Sequence, residues 1–105
     1  MVVKNIEIPT DKVADFCQRW KITEFGFFGS VLREEFRPDS DIDILVTFAP
    51  DAHRTMFELV DMQDELEAMF KRKVDLVSRR GIEQSRNYLR RKAILKSAQI
   101  IYATS

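Results

Sequence analysis

The chain is poor in several residues that would point to particular functions. It has one cysteine, Cys17, in 105 residues. A lone thiol closes no internal disulfide and fits a reducing compartment, so the expected location is cytoplasmic. Cys17 falls in a helical pattern and reads as a small core residue. One histidine, His53, with no cysteine cluster to help it, cannot build a zinc site and reads as a surface residue. Three glycines and three prolines leave no linker-like or low-complexity tract. No apolar run approaches a membrane span, so no membrane partner is expected. The first residues, MVVKNIEIPTDK, lack the apolar core of a signal peptide. Formal net charge is zero, without the basic excess typical of nucleic-acid binders.

What is present is ordinary in bulk and uneven in detail. The composition, 45% hydrophobic and 32% charged, suits a folded protein, and the length suits one domain over residues 1–105 with one modest core. Residues 1–70 carry 15 acidic and 7 basic side chains, whereas residues 71–105 carry 2 and 10. The basic end reads either as a solvated helix face or as a surface for triphosphate, RNA or an acidic partner.

Periodicity predicts the elements. Val13, Phe16, Cys17 and Trp20 share one face of a helix running from a Thr10 cap to about Arg19. Ile22 to Phe28, rich in aromatic and β-branched residues, predicts a strand ended by Gly29-Ser30. A short helix is expected over Val31–Phe36, a loop over residues 37–40, and a second strand over Asp41–Phe48. After a loop over Ala49–Arg54, Leu59, Met62, Leu66, Met69 and Phe70 mark the buried stripe of a helix over Thr55–Phe70. Its carboxylates, Glu58, Asp61, Asp64, Glu65 and Glu67, read as a solvated face. A strand over Lys73–Ser78, a basic helix over Ser85–Lys96 and a closing strand over Ala98–Tyr102 complete an alternating α/β order. The expected fold class is α/β (α+β), a small mixed sheet with helices packed on it.

The chemistry concentrates in GFFGSVLREEFRPDSDIDILVTF. In a strand, residues two apart share a face, so Asp41 and Asp43 point the same way with Cα atoms roughly 6.6 Å apart. Ile42, Ile44 and Val46 take the other face. Two carboxylates in an apolar strand defy strand propensity and need a neutralising cation, for which Mg²⁺ is the expected choice. Asp75, flanked by Val74 and Leu76 in the next strand, is the candidate third ligand and also a candidate general base. Gly29 lets backbone approach a phosphate, Ser30 opens a helix whose N–H groups favour an anion, and Arg33 can reach back over the same helix end.

Together, Gly29-Ser30, Asp41-x-Asp43 and Asp75 resemble the nucleotidyltransferase fold of the DNA polymerase beta superfamily, and most of all its minimal nucleotidyltransferases (MNT). The resemblance covers nearly the whole chain. It implies that Asp41, Asp43 and Asp75 hold two Mg²⁺ ions and that Gly29 and Ser30 contact the triphosphate of ATP. It also implies a partner, a small helical HEPN-domain toxin, with this chain as the antitoxin that moves AMP from ATP onto a toxin tyrosine. The chain departs from the family where Arg33 is followed by Glu34 in place of the frequent glycine. The small size leaves no helical domain for the acceptor, which is expected to arrive on another molecule. Two further readings stand beside this one. In the first, the domain blocks its toxin by stoichiometric binding through Arg79, Arg80, Arg86, Arg90, Arg91, Lys92 and Lys96, with nucleotide only stabilising the fold. In the second, the chain modifies nucleic-acid ends. Zero net charge and the lack of interleaved aromatics in the basic segment weigh against the latter.

Overall fold

A computed structural model describes residues 2–3, 6–32, 41–52 and 55–104. A two-stranded antiparallel ribbon, β1 (Val2–Val3) and β2 (Ile6–Glu7), precedes helix α1 (Thr10–Trp20). The main sheet runs β5 (Val74–Ser78), β4 (Ile42–Phe48), β3 (Ile22–Phe28), β6 (Gln99–Ala103). β3 is antiparallel to both neighbours, and β4 is parallel to β5, with helix α2 (Met56–Phe70) between them in the chain. Helices α3 (Arg79–Glu83) and α4 (Tyr88–Ser97) lead from β5 to β6. This is the mixed α/β sheet that the sequence predicts. No helix among the described residues is long and apolar enough to cross a membrane.

Strand alternation sorts the side chains into two layers. Phe25, Phe27, Ile42, Ile44, Val46 and Val74 are buried against α1 and α2 through Val13, Phe16, Cys17, Met62 and Leu66. Phe16, Phe25, Phe27 and Phe70 meet edge to face, with ring centroids 5.7 to 6.3 Å apart. Phe28 and Leu45 face the other way and bury Ile82 of α3 and Ile94 of α4 in a smaller core. Cys17 is fully buried, as its helical spacing predicts, and burial pushes its thiol up to about 12.

Several expectations are corrected. Thr10 does not cap α1; it is the first helical residue, and Pro9 stands at the cap position with no side-chain bond. Of the short helix expected over Val31–Phe36, the described part is a single 3-10 turn over Gly29–Leu32. The rest of that helix, the loop over residues 37–40 and His53 lie outside the described residues. Residues 79–83 form α3, started by the Ser78 hydroxyl, which accepts from Gly81 N at 3.1 Å. The basic helix begins at Tyr88, not Ser85, because the Asn87 side chain accepts from Arg90 N.

The acidic side of α2 is not merely solvated. Thr55 and Glu58 form a reciprocal capping box: Glu58 N donates to Thr55 Oγ1, and Thr55 N donates to Glu58 Oε1. Glu65 accepts from Arg19 and from Trp20 Nε1, tying α2 to α1. Glu67 accepts from Val74 N at 2.9 Å and fixes the start of β5. Asp61 and Asp64 remain exposed.

Candidate active site

The site is built by the register of three strands. Phe28, the last residue of β3, pairs with Asp43 of β4, and Asp43 pairs in parallel with Asp75 of β5. Paired residues on neighbouring strands point to the same face about 4.8 Å apart, so Asp43 and Asp75 stand side by side. That face is the one opposite Ile42, Ile44 and Val46, as the alternation predicts. Asp41 is exposed and lies one residue before β4. The next residue is anchored: Ile42 N donates to Lys73 O at 2.9 Å, which locks the start of β4 to β5. Carrying the strand alternation back one step puts Asp41 on the side of Asp43.

Gly29 directly follows Phe28 and therefore arrives beside Asp43. Its φ is +74°, a left-handed conformation that glycine adopts without strain. A Cβ there would collide with Asp43 Oδ2. The sequence suggests a phosphate as the reason for the missing side chain; in the structure the Asp43 carboxylate already stands there. The residues Gly29 and Asp43, 14 apart in sequence, thus form one packed unit, a link visible only once the β3–β4 register is known. Ser30 stands in the same 3-10 turn. Arg33 lies outside the described residues.

Among the described residues, no three His, Cys, Asp or Glu side chains converge tightly enough to hold a metal ion. Asp43 and Asp75 come together by register; a closed cage with Asp41 does not form. The donor set nonetheless suits Mg²⁺. This hard cation is bound through one or two carboxylates, with substrate phosphates and water completing its octahedron. A cavity of about 270 Å³ lined by Thr47, Phe48, Pro50, Leu59, Ser78 and Arg80 lies at the opposite end of β4 and β5 and includes none of the carboxylates. The candidate site is therefore an open shelf at the start of β4.

The basic segment is less uniform than its sequence suggests. Arg79 is engaged by Glu24 and Glu83. Arg91 donates to the carbonyl oxygens of Glu83 and Ser85, both at 3.3 Å. Arg80, Arg86, Arg90, Lys92 and Lys96 are exposed.

Residues 11–101 match the nucleotidyltransferase domain family along nearly the whole chain. The chain belongs to that family. The protein adenylyltransferase MntA of Thermococcus cleftensis is 35% identical to this nucleotidyltransferase domain over 84 residues, covering 79% of the chain and 83% of the relative. A crystal structure of a toxin-antitoxin with AMP-PNP superposes with a TM-score of 0.71 at 19% identity, covering 93% of this chain and 76% of that one. A complex of a tri-AMPylated Shewanella oneidensis HEPN toxin with its MNT antitoxin gives a TM-score of 0.61 at 20% identity, covering 90% and 69%. At these identities the two structures establish the shared fold.

Proposed function

We propose that this nucleotidyltransferase domain, residues 1–105 taken as one unit, moves AMP from ATP onto a tyrosine hydroxyl of a small helical HEPN-type toxin and thereby acts as its antitoxin. The observation that carries the reading is the packed unit of Gly29 and Asp43 with Asp75 level beside it. A turn that brings backbone against a carboxylate pair suits a triphosphate delivered with its own cation. The 35% identity to a protein adenylyltransferase supports AMP as the group moved. The fold shared with an MNT antitoxin bound to an AMPylated HEPN toxin supports the partner.

In this mechanism Asp43 and Asp75, joined by Asp41, would hold the Mg²⁺ ions. When bound, the ions neutralise charge on the attacking and leaving oxygens. Gly29 and Ser30, with Arg33, position the β- and γ-phosphates. Asp75 takes the proton of the acceptor hydroxyl. The hydroxyl oxygen forms a bond to the α-phosphorus, the bond from that phosphorus to the bridging β-phosphate oxygen breaks, and pyrophosphate leaves.

The test is mass spectrometry of a HEPN-type toxin after incubation with this protein and Mg-ATP. Added AMP on a tyrosine is expected with the wild type and not with Asp43→Asn or with excess chelator. A toxin that stays unmodified, or is modified equally by Asp43→Asn, would refute the reading.

A further inference from the structure

Among the described residues, five of the most exposed large apolar side chains open two helices. Met56, Phe57 and Val60 begin α2; Tyr88 and Leu89 begin α4. Phe57 is 84% exposed and Leu89 is 76% exposed. Clustered apolar exposure of this kind marks interaction surfaces more often than scattered single residues do. Each cluster is continued along its own helix face by charge of one sign. On α2, exposed Asp61 and Asp64 follow Phe57 at helical spacing, and residues 56–70 contain no lysine or arginine. On α4, exposed Lys92 and Lys96 follow Tyr88 and Leu89 at the same spacing, and residues 88–97 contain no carboxylate.

The two helices cannot meet within one molecule. Met62 and Leu66 of α2 pack in the core with Ile44 and Val46, whereas Ile94 of α4 packs with Leu45. Alternate residues of β4 face opposite sides of the sheet, so α2 and α4 lie on opposite sides of it.

We propose that the α4 surface of one copy docks on the α2 surface of a second copy, head to tail. With the helices parallel and Leu89 set against Phe57, Lys92 comes level with Val60, one residue from Asp61, and Lys96 comes level with Asp64. Apolar ends and opposite charges then match in a single register, so the chain itself carries the complement of each patch. Both surfaces are fixed before they meet. The capping box of Thr55 and Glu58 holds the first turn of α2. On α4, the Arg91 guanidinium sits 5.4 Å from the centre of the Tyr88 ring while its N–H groups are held by backbone carbonyls. Ordering the patches in advance lowers the entropic cost of association. The contact uses different surfaces on the two copies, so it leaves one patch free at each end and propagates unless a ring closes.

Sedimentation velocity on the full chain, from micromolar to millimolar concentration, tests this. Species larger than the monomer should grow with concentration and recede with added salt. Asp64→Lys and Lys96→Asp should each weaken association by roughly tenfold, and the two together in one chain should largely restore it. Phe57→Lys and Leu89→Lys should each be monomeric, yet their equimolar mixture should form a dimer that grows no further, because one intact contact remains and the other sets lysine against lysine. Circular dichroism matching the wild type guards against misfolded variants. A wild type that stays monomeric at every concentration overturns the proposal. So does association indifferent to Phe57→Lys and Leu89→Lys, or a mixture that fails to dimerise. Binding of these patches only by a different helical protein, with no self-association, also overturns it. None of these readings depends on adenylyl transfer, so the two proposals fail separately.

Discussion

The sheet face under α1 and α2 and the face under α3 and α4 are made by alternate residues of the same strands, yet they hold different things. Under α1 and α2 the positions are filled by Phe25, Phe27, Ile42, Ile44 and Val46, all at 0% exposure. The opposite face spends the alternate positions on Phe28 and Leu45 over one part and on Asp43 and Asp75 over the rest. Stability is therefore concentrated on one face, and the other keeps an open edge where the carboxylates of Asp43 and Asp75 remain accessible to solvent. The division is economical in a chain of this size, because each strand serves as scaffold and as site at once.

The division predicts that the two faces fail in different ways. On the open face, Asp43→Asn should lower AMP transfer by roughly a hundredfold to a thousandfold, the scale on which preorganised charge at a reaction centre acts. Urea unfolding of the same variant should show little change, because asparagine keeps the shape of the aspartate beside Gly29 and leaves the packed face untouched. If Asp43→Asn unfolds the protein instead, the carboxylate is a structural element and the faces are not divided in this way.

On the packed face, Phe27→Ala should do the reverse. Phe27 is fully buried and meets the rings of Phe25 and Phe70 at 5.7 and 5.9 Å. The cavity should cost about 3–5 kcal/mol, a large share of the roughly 5–15 kcal/mol that holds a small domain together. Activity per folded molecule should persist below the shifted midpoint, measured with the folded fraction determined in the same samples.

The buried thiol gives the packed face a pH signature. The folded pKa of Cys17 is raised to about 12 from an ordinary value of 9.0. Between those values the unfolded chain loses this proton and the folded chain keeps it, so the unfolded state is favoured as pH rises. The contribution is fully present below pH 9 and is lost at about 1.4 kcal/mol per pH unit through that window. The stability difference between wild type and Cys17→Ala should therefore shrink as pH rises above 9. A difference that stays constant to pH 11 would show the thiol to be accessible.

Much of this division is legible in the sequence. The alternation of Asp41, Ile42, Asp43 and Ile44 puts acid on one face and core on the other before any pairing is known. The helix over Met56–Phe70 is written in its stripe, whereas Glu58, which reads as solvated, closes the capping box with Thr55. What is not legible is register. That Asp75 stands opposite Asp43, and that Gly29 is required by the Asp43 carboxylate, depends on which residues the sheet pairs, and no local pattern encodes it. Short elements also escape. Residues 79–83 carry no helical stripe, and α3 exists because Ser78 caps it and Ile82 finds a place beneath Leu45. The bonds of Glu65 and Glu67 were hidden for the same reason, since their partners Arg19, Trp20 and Val74 come from other elements.

The smallest effects sharpen the contrast between the faces most closely, because they compare one backbone conformation in two settings. Gly29 and Lys71 both have positive φ, +74° and +58°. At Gly29 the left-handed turn abuts Asp43, so Gly29→Ala adds a collision to the roughly 1–2 kcal/mol that an L-residue costs there, and it displaces the carboxylate proposed to serve transfer. Both stability and transfer should fall. At Lys71 the same conformation merely ends α2, where the Lys71 N–H closes on Glu67 O. Glycine would relieve the strain and keep that backbone bond, at the cost of greater freedom in the unfolded chain. Lys71→Gly should therefore raise stability, by about 0.5–1 kcal/mol after that offset, and leave transfer unchanged. If Gly29→Ala keeps full activity, the glycine serves only the turn. If Lys71→Gly alters activity, the end of α2 is coupled to the site, and the separation of the two faces is incomplete.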